Sequence, residues 1–144
     1  MSVKISTTIK HESYSQEELD FAFPNVDPEF EPCGNRVLVQ LRSPKTKSKG
    51  GIILTGNDIE VEKWATQIAK VIKVGALAFR NNTTLDPWVE GKWCEVGDFV
   101  RIPKYLQDKW EVQHEDREVL FMLVSDTAIL AKCTGNPLDI KAYL

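Results

Sequence analysis

The sequence predicts an all-β fold, a barrel or a sandwich built from short strands. Apolar residues recur in short β-branched runs, and no stretch between those runs has the apolar spacing of a long helix. Such short strands joined by turns are typical of small barrels and sandwiches. A chain of 144 residues is long enough for one domain with one core.

The first strand is predicted over residues 36–42, where alternation places Val37, Val39 and Leu41 on one face. Four further strands are predicted over residues 67–74, 98–102, 118–124 and 127–132. The strand over 98–102 ends at Pro103, because proline has no N–H to give to a ladder.

The barrel domain is expected over residues 32–133, between an N-terminal extension and linker (1–31) and a C-terminal tail (134–144). Within the extension, residues 15–18 read Ser-Gln-Glu-Glu, a capping-box pattern that predicts a short helix ended by Pro24. The N-terminus lacks the apolar run of a signal peptide, and no stretch is long and apolar enough to span a bilayer. We therefore expect a cytoplasmic protein with no membrane partner.

Two long stretches, residues 43–63 and 76–96, lack the strand pattern and are predicted to be functional or disordered loops. The first contains an apolar tripeptide, Ile52-Ile53-Leu54, between small residues. The residues alone leave two interpretations open. The tripeptide is either a short buried strand with glycine turns, or an exposed segment that binds a partner's groove while its glycines let the backbone approach closely.

Charge and cysteine content exclude several classes of partner and cofactor. The net charge is −3 and the pI is about 5.4, which argues against a nucleic-acid partner, since such proteins usually present a basic surface. The chain has an odd number of cysteines, and they are widely spaced, as expected of reduced thiols; they are Cys33, Cys94 and Cys133. Together with His11 and His114 they lack the spacing of a zinc site, so no metal or other cofactor is expected.

The stretch from Lys45 to Gly56 resembles the mobile loop of the GroES-type co-chaperonins, the chaperonin-10 family. In that loop, lysines and serines precede Gly-Gly, two β-branched residues, Leu, Thr and Gly. Further segments similar to the family's strands and turns follow in the same order over residues 32–133; they begin at Asn35, Lys70, Glu95, Glu118 and Ser125. A Val-Gly-Asp turn alone would be a weak sign, but the loop and five ordered blocks together are specific.

The resemblance implies a non-enzymatic subunit of a ring of seven identical copies. Such a ring caps a GroEL-type chaperonin in its ATP- or ADP-bound state and encloses unfolded client proteins. The implied chaperonin-binding residues are Ile52, Ile53 and Leu54, and those that shape the loop are Gly50, Gly51, Thr55 and Gly56. The subunit itself is expected to bind no nucleotide, and the sequence has no phosphate-binding loop motif.

The chain also departs from the usual family pattern. The 76–96 stretch stands where the family has its roof hairpin and is slightly longer. Tyr105 and Trp110 are alternative positions for the family's cavity-facing aromatic residue. Residues 94–98, Cys-Glu-Val-Gly-Asp, are also similar to the divergent co-chaperonins of T-even phages. A phage-encoded homologue acting in the host cytoplasm is therefore one interpretation.

Three other functions compete with the co-chaperonin interpretation. A single-strand nucleic-acid-binding barrel would use stacking platforms, for which the candidates are Trp64, Trp88, Trp93 and Trp110. An enzyme is suggested by His114 beside Glu115 and Asp116, but a solvated turn between strands explains them better, and no dinucleotide-binding motif is present. The third is a structural ring protein without a chaperonin partner.

Overall fold

The structure, a computed structural model, describes residues 16–44, 56–104 and 108–141. In chain order the elements are helix α1 (Gln16–Ala22), strand β1 (Arg36–Leu41), helix α2 (Gly56–Ala65), strands β2 (Ile68–Val74), β3 (Phe99–Arg101), β4 (Lys109–His114) and β5 (Arg117–Ser125), a 3-10 turn (Asp126–Ala128) and strand β6 (Ala131–Lys132). The strands form one six-stranded antiparallel sheet in the order β4-β5-β1-β2-β3-β6. The predicted fold class is confirmed, as is the short helix before Pro24.

The sheet is open, so the small barrel is not closed in the part of the chain that the structure describes. Over the described part of the chain, β4 and β6 are the two edges of the sheet and do not pair with each other. To close the barrel, β6 would have to pair with β4. The β6 side of the sheet ends in two very short strands, β3 with three residues and β6 with two. Strands so short form few ladder hydrogen bonds, whereas closure requires a continuous staggered ladder.

Two strand predictions need correction. Strand β4 was not predicted, although Trp110 and Val112 alternate with charged and polar residues in it. The strand expected over 127–132 forms only at Ala131–Lys132, because a 3-10 turn comes first. That turn begins at Asp126, whose fully buried carboxylate accepts a hydrogen bond from the Phe79 backbone N–H at 2.7 Å.

The main core lies on one face of the sheet. Val37, Val39 and Leu41 are buried there, as their alternation predicts, against residues of β2, β3 and β5. The Val-Gly-Asp motif turns the chain into β3: Gly97 has φ 96°, in the left-handed region that favours glycine. The Asp98 carboxylate accepts a hydrogen bond from the Glu95 N–H at 2.9 Å, which closes the turn.

The opposite face of the sheet is covered by residues 16–31, which we call the N-terminal strap. As a result Leu38 and Gln40 are buried although they point away from the main core. Gln40 Nε2 donates a hydrogen bond to the Pro24 carbonyl at 2.9 Å, and Val26 packs against the cluster that contains Leu38. The segment expected to be an extension and linker is thus a layer on the sheet.

The 76–96 segment folds against the main core. Phe79 and Cys94 are buried in that core, and Trp88 and Trp93 pack against it with their rings stacked at 6.1 Å. A single antiparallel bridge joins Arg80 to Pro87. This segment is long and irregular, but its aromatic side chains anchor it.

Candidate functional site

The candidate site is the connection between β1 and β2. Most of its predicted residues lie outside the described part of the chain: Gly50, Gly51, Ile52, Ile53, Leu54 and Thr55. Gly56 is the first residue of helix α2, and the space around its Cα is open. The structure therefore describes the two ends of the connection, and their geometry defines how the predicted binding segment is held.

The first end follows β1 directly and is tied to three parts of the chain. The Arg42 backbone N–H donates to the Ile68 carbonyl at 3.0 Å, and the Ser43 N–H donates to the Ala22 carbonyl at 3.0 Å. The Arg42 side chain is buried and its Nη1 donates to the carbonyls of Pro137 (2.9 Å) and Ile140 (2.7 Å). Backbone amides and a buried guanidinium thus fix this end.

Burial lowers the pKa of Arg42, and the nearby Glu62 carboxylate partly opposes that effect. Two carbonyl oxygens replace water around the guanidinium, which a buried charge requires. Arg42 was not predicted to be a functional residue. The available signal was a charged residue continuing an alternating apolar strand at the point where the binding segment begins.

The second end contains helix α2. The loop had been predicted to continue to about residue 63, so the helix replaces its last part. The sequence around Glu60, Glu62 and Lys63 favours a helix, a signal that the strand-and-turn interpretation overlooked. After the helix the chain enters the sheet firmly. Gln67 is buried, its side chain donates to the Ile102 carbonyl at 3.0 Å, and its own carbonyl accepts from the Ile102 N–H at 2.8 Å.

Charged side chains attach the C-terminal end of α2 to strands β4 and β5. Lys63 Nζ lies 3.5 Å from Glu111 Oε1 and 3.4 Å from Glu118 Oε2. Lys109 Nζ donates to the Trp64 carbonyl at 2.7 Å and stands 5.9 Å from the centre of the Trp64 ring. Because Lys63 is 14% exposed, its ion pairs are less screened than ordinary surface pairs.

Three of these groups, Lys109, Glu111 and Glu118, have shifted pKa values. The hydrogen bond between Glu111 and Glu118 raises the pKa of Glu111 and lowers that of Glu118. Burial lowers the pKa of Lys109. These groups form an electrostatic anchor for α2.

The described residues hold no arrangement suited to metal binding. Over residues 16–44, 56–104 and 108–141, no group of three or more histidines, cysteines or acidic residues could hold a metal ion. Cys33 and Cys94 are free thiols, and the Cys133 Sγ donates a hydrogen bond to the Gly135 carbonyl at 3.6 Å. His114 and Glu115 lie 3.9 Å apart at the turn between β4 and β5, as the solvated-turn interpretation predicts.

The four tryptophans do not line up as a stacking platform. Trp88 and Trp93 pack against the main core, whereas Trp64 lies on α2. Trp110 lies under the N-terminal strap, where its Nε1 donates to the Pro28 carbonyl at 2.9 Å and its ring stacks on Phe121 at 6.0 Å. Tyr105, the alternative cavity-facing aromatic residue, lies outside the described residues.

Neither of the two described helices is long and apolar enough to cross a membrane.

Comparison with known proteins identifies the family of the chain. The sequence model of the family described as "Chaperonin 10 Kd subunit" matches residues 29–133. A co-chaperonin GroES of Clostridium botulinum is 32% identical over 102 residues, which cover 71% of this chain and 95% of the relative. A co-chaperonin GroES of Coprothermobacter proteolyticus is 31% identical over 103 residues, 72% of this chain and 93% of the relative.

A third relative, a co-chaperonin GroES of Lactobacillus delbrueckii subsp. bulgaricus, is 29% identical over 103 residues, 72% of this chain and 99% of the relative. The matched region runs from the end of the N-terminal strap to just after β6 and includes the whole sheet. The chain therefore belongs to the chaperonin-10 family, the GroES-type co-chaperonins.

Proposed function

We propose that this chain is the subunit of a heptameric lid that closes a GroEL-type chaperonin over an unfolded client protein. Its role is binding and enclosure in the cytoplasm, with no catalysis and no nucleotide bound by the subunit itself. The contacting residues are Ile52, Ile53 and Leu54, and those that shape the segment are Gly50, Gly51, Thr55 and Gly56.

The observation that supports the proposal most is the sequence of the candidate segment within a chain of this family. Its apolar tripeptide stands between Gly-Gly and Thr-Gly, in the connection whose two ends are fixed at Arg42 and Gln67. A partner with an apolar groove can bury the three side chains. The glycines beside them allow the backbone to approach the groove closely.

The energetics favour a multivalent lid over a single subunit. Burying three aliphatic side chains contributes about 5–9 kcal/mol gross, at ~1.5–3 kcal/mol each. Ordering the segment costs on the order of 1–2 kcal/mol for each residue fixed. One segment therefore binds weakly, and several segments on one ring bind tightly because each later contact is intramolecular.

The open sheet is compatible with assembly into a ring. Edge strands present unpaired backbone groups, which proteins usually cover. Over the described residues the edges are β4 and β6, on opposite sides of the sheet, so neighbours on either side could cover them. We propose that neighbouring subunits provide this cover.

The decisive experiment measures assembly and capping separately. Native mass spectrometry at micromolar concentration should give a heptamer. Mixing that ring with a GroEL-type chaperonin should give a complex only when ATP or ADP is present. A monomer would contradict the ring; a heptamer that never binds chaperonin would support the structural-ring alternative instead.

A further inference from the structure

The two terminal segments of the chain meet each other beside the candidate site. Ala22 and Phe23 of the N-terminal strap form a buried cluster with Leu138 of the C-terminal segment and with Ile68 of β2. The ring of Phe23 also contacts that of Phe99 at 5.0 Å between centroids. Neither terminal partner belongs to the family-matched region 29–133, so this cluster is an addition to the common fold.

The cluster is tied to both ends of the connection between β1 and β2. At the first end, the Ala22 carbonyl accepts a hydrogen bond from the Ser43 N–H. The carbonyls of Pro137 and Ile140 in the C-terminal segment accept hydrogen bonds from the Arg42 guanidinium. At the second end, Ile68 is the first residue of β2 and is itself a member of the cluster.

We propose that the two terminal segments form a clasp that fixes the ends of the 43–67 connection and so strengthens chaperonin binding by the segment between them. The clasp consists of residues 19–23 and 137–141 around Arg42 and Ile68. The affinity part of this proposal rests on the proposed function; the structural part does not.

The physical reason is the conformational freedom that binding must remove. A segment whose ends are held has fewer conformations in the free ring, so less entropy is lost when a chaperonin orders it. The effect repeats at every subunit of a ring.

Buried Arg42 is the central positioning residue because its guanidinium joins the first end to the C-terminal segment. Substitution by Met keeps the aliphatic stem but removes both hydrogen bonds. Arg42→Lys retains a charge and one donor that can reach a carbonyl, and should restore part of the effect. Leu138→Ala removes apolar contacts from the buried cluster of the clasp and leaves Arg42 unchanged.

The test compares these variants with Val26→Ala, a control in the same strap. Val26 packs on the Leu38 cluster, away from the ends of the connection. All variants are made in the full chain and first checked for ring mass and melting temperature. Each is then measured for amide exchange at positions 42 and 43 and for binding to a GroEL-type chaperonin with ADP.

For Arg42→Met and Leu138→Ala we expect the Ser43 amide to exchange at least about tenfold faster and the ring to bind chaperonin at least about tenfold more weakly. In Val26→Ala the exchange rate and the chaperonin affinity should both stay near those of the wild type. This should hold even if the melting temperature of Val26→Ala falls as much as that of the other variants. Unchanged exchange at positions 42 and 43 would overturn the clasp. Faster exchange with binding equal to that of the control would overturn its effect on affinity.

If wild-type ring binds no chaperonin, the proposed function and the affinity part both fail. The exchange measurement still decides whether the clasp holds the ends. If Arg42→Met does not fold, Leu138→Ala carries the same comparison, because it shortens an apolar side chain and leaves the buried Arg42 charge with both of its carbonyl partners.

Discussion

The two long segments that the sequence marks as loops differ in how they are attached. The 76–96 segment packs along its length through Phe79, Trp88 and Trp93, whereas the connection between β1 and β2 is held at its ends. Both segments are long and contain glycine or asparagine, so length and composition alone do not separate them. The difference lies in the placement of the large apolar side chains. In the 76–96 segment they are spread along the chain and pack on the core, whereas in the β1–β2 connection they are contiguous in sequence and flanked by small residues.

The largest expected effect tests the binding role of the first segment. Ile53→Asp should abolish capping, because a carboxylate placed in an apolar groove without a partner incurs a desolvation cost of several kcal/mol at each subunit. If the side chain is free in the ring, the free energy of unfolding should change by no more than about 0.5 kcal/mol. A capping assay beside a thermal melt decides this. An unfolded variant would favour the buried-strand interpretation, and normal capping would refute the assigned residue.

A second substitution tests whether the 76–96 segment is structural. Asp126→Ala should lower the free energy of unfolding by about 2–3 kcal/mol, because it removes a charged acceptor from the buried Phe79 N–H. The matched control is the exposed Thr127→Ala, with an expected change within about 0.5 kcal/mol. Denaturant unfolding of both variants gives the comparison. Equal stabilities would mean that the segment is not anchored through Asp126.

A smaller effect is expected at the anchor of α2. Lys63→Met should lower the free energy of unfolding by about 1 kcal/mol, since it removes the cation that pairs with both Glu111 and Glu118. The more exposed Lys132, which pairs with Asp98 at 3.4 Å, supplies the control Lys132→Met with an effect of a few tenths of a kcal/mol at most. The difference should shrink in about 1 M salt, where charges are screened. A difference that does not respond to salt would contradict an electrostatic anchor.

The smallest perturbation is chemical. Burial raises the pKa of Cys94 to about 11, so at pH 8 only about one Cys94 thiol in a thousand is ionised. Cys94 should therefore react with a thiol reagent far more slowly than the exposed Cys33, and its rate should climb as the pH approaches 11. Mass spectrometry of partly labelled protein measures both rates. Comparable rates at pH 8 would show that the 76–96 segment opens readily.

How far the sequence predicts the structure depends on whether the signal is local. The alternation of Val37, Val39 and Leu41 is local and gave the correct core face. The helix α1 was equally readable from its cap pattern and from Pro24. Strand β4 was missed because its charges mask the alternation of Trp110 and Val112.

The rest depends on pairs that are distant in sequence. Arg42 meets carbonyls 95 and 98 positions away, and nothing next to it in the chain announces those partners. Lys63 meets Glu118 across 55 positions, so the anchor of α2 is equally invisible to a local pattern. The candidate binding segment could be proposed from the sequence because its residues are contiguous, and it stays a prediction. The way in which the ends of the connection are held could not be predicted.

The strap that covers the second face of the sheet has a thermodynamic consequence. Because β1 buries side chains on both faces, unfolding hydrates apolar surface from both sides of one strand. Exposed apolar surface raises the heat capacity of unfolding by about 0.45 cal/K/mol for each Å². The stability curve of this subunit against temperature should accordingly be more sharply curved than that of a sheet with one wet face, with losses on cooling as well as on heating.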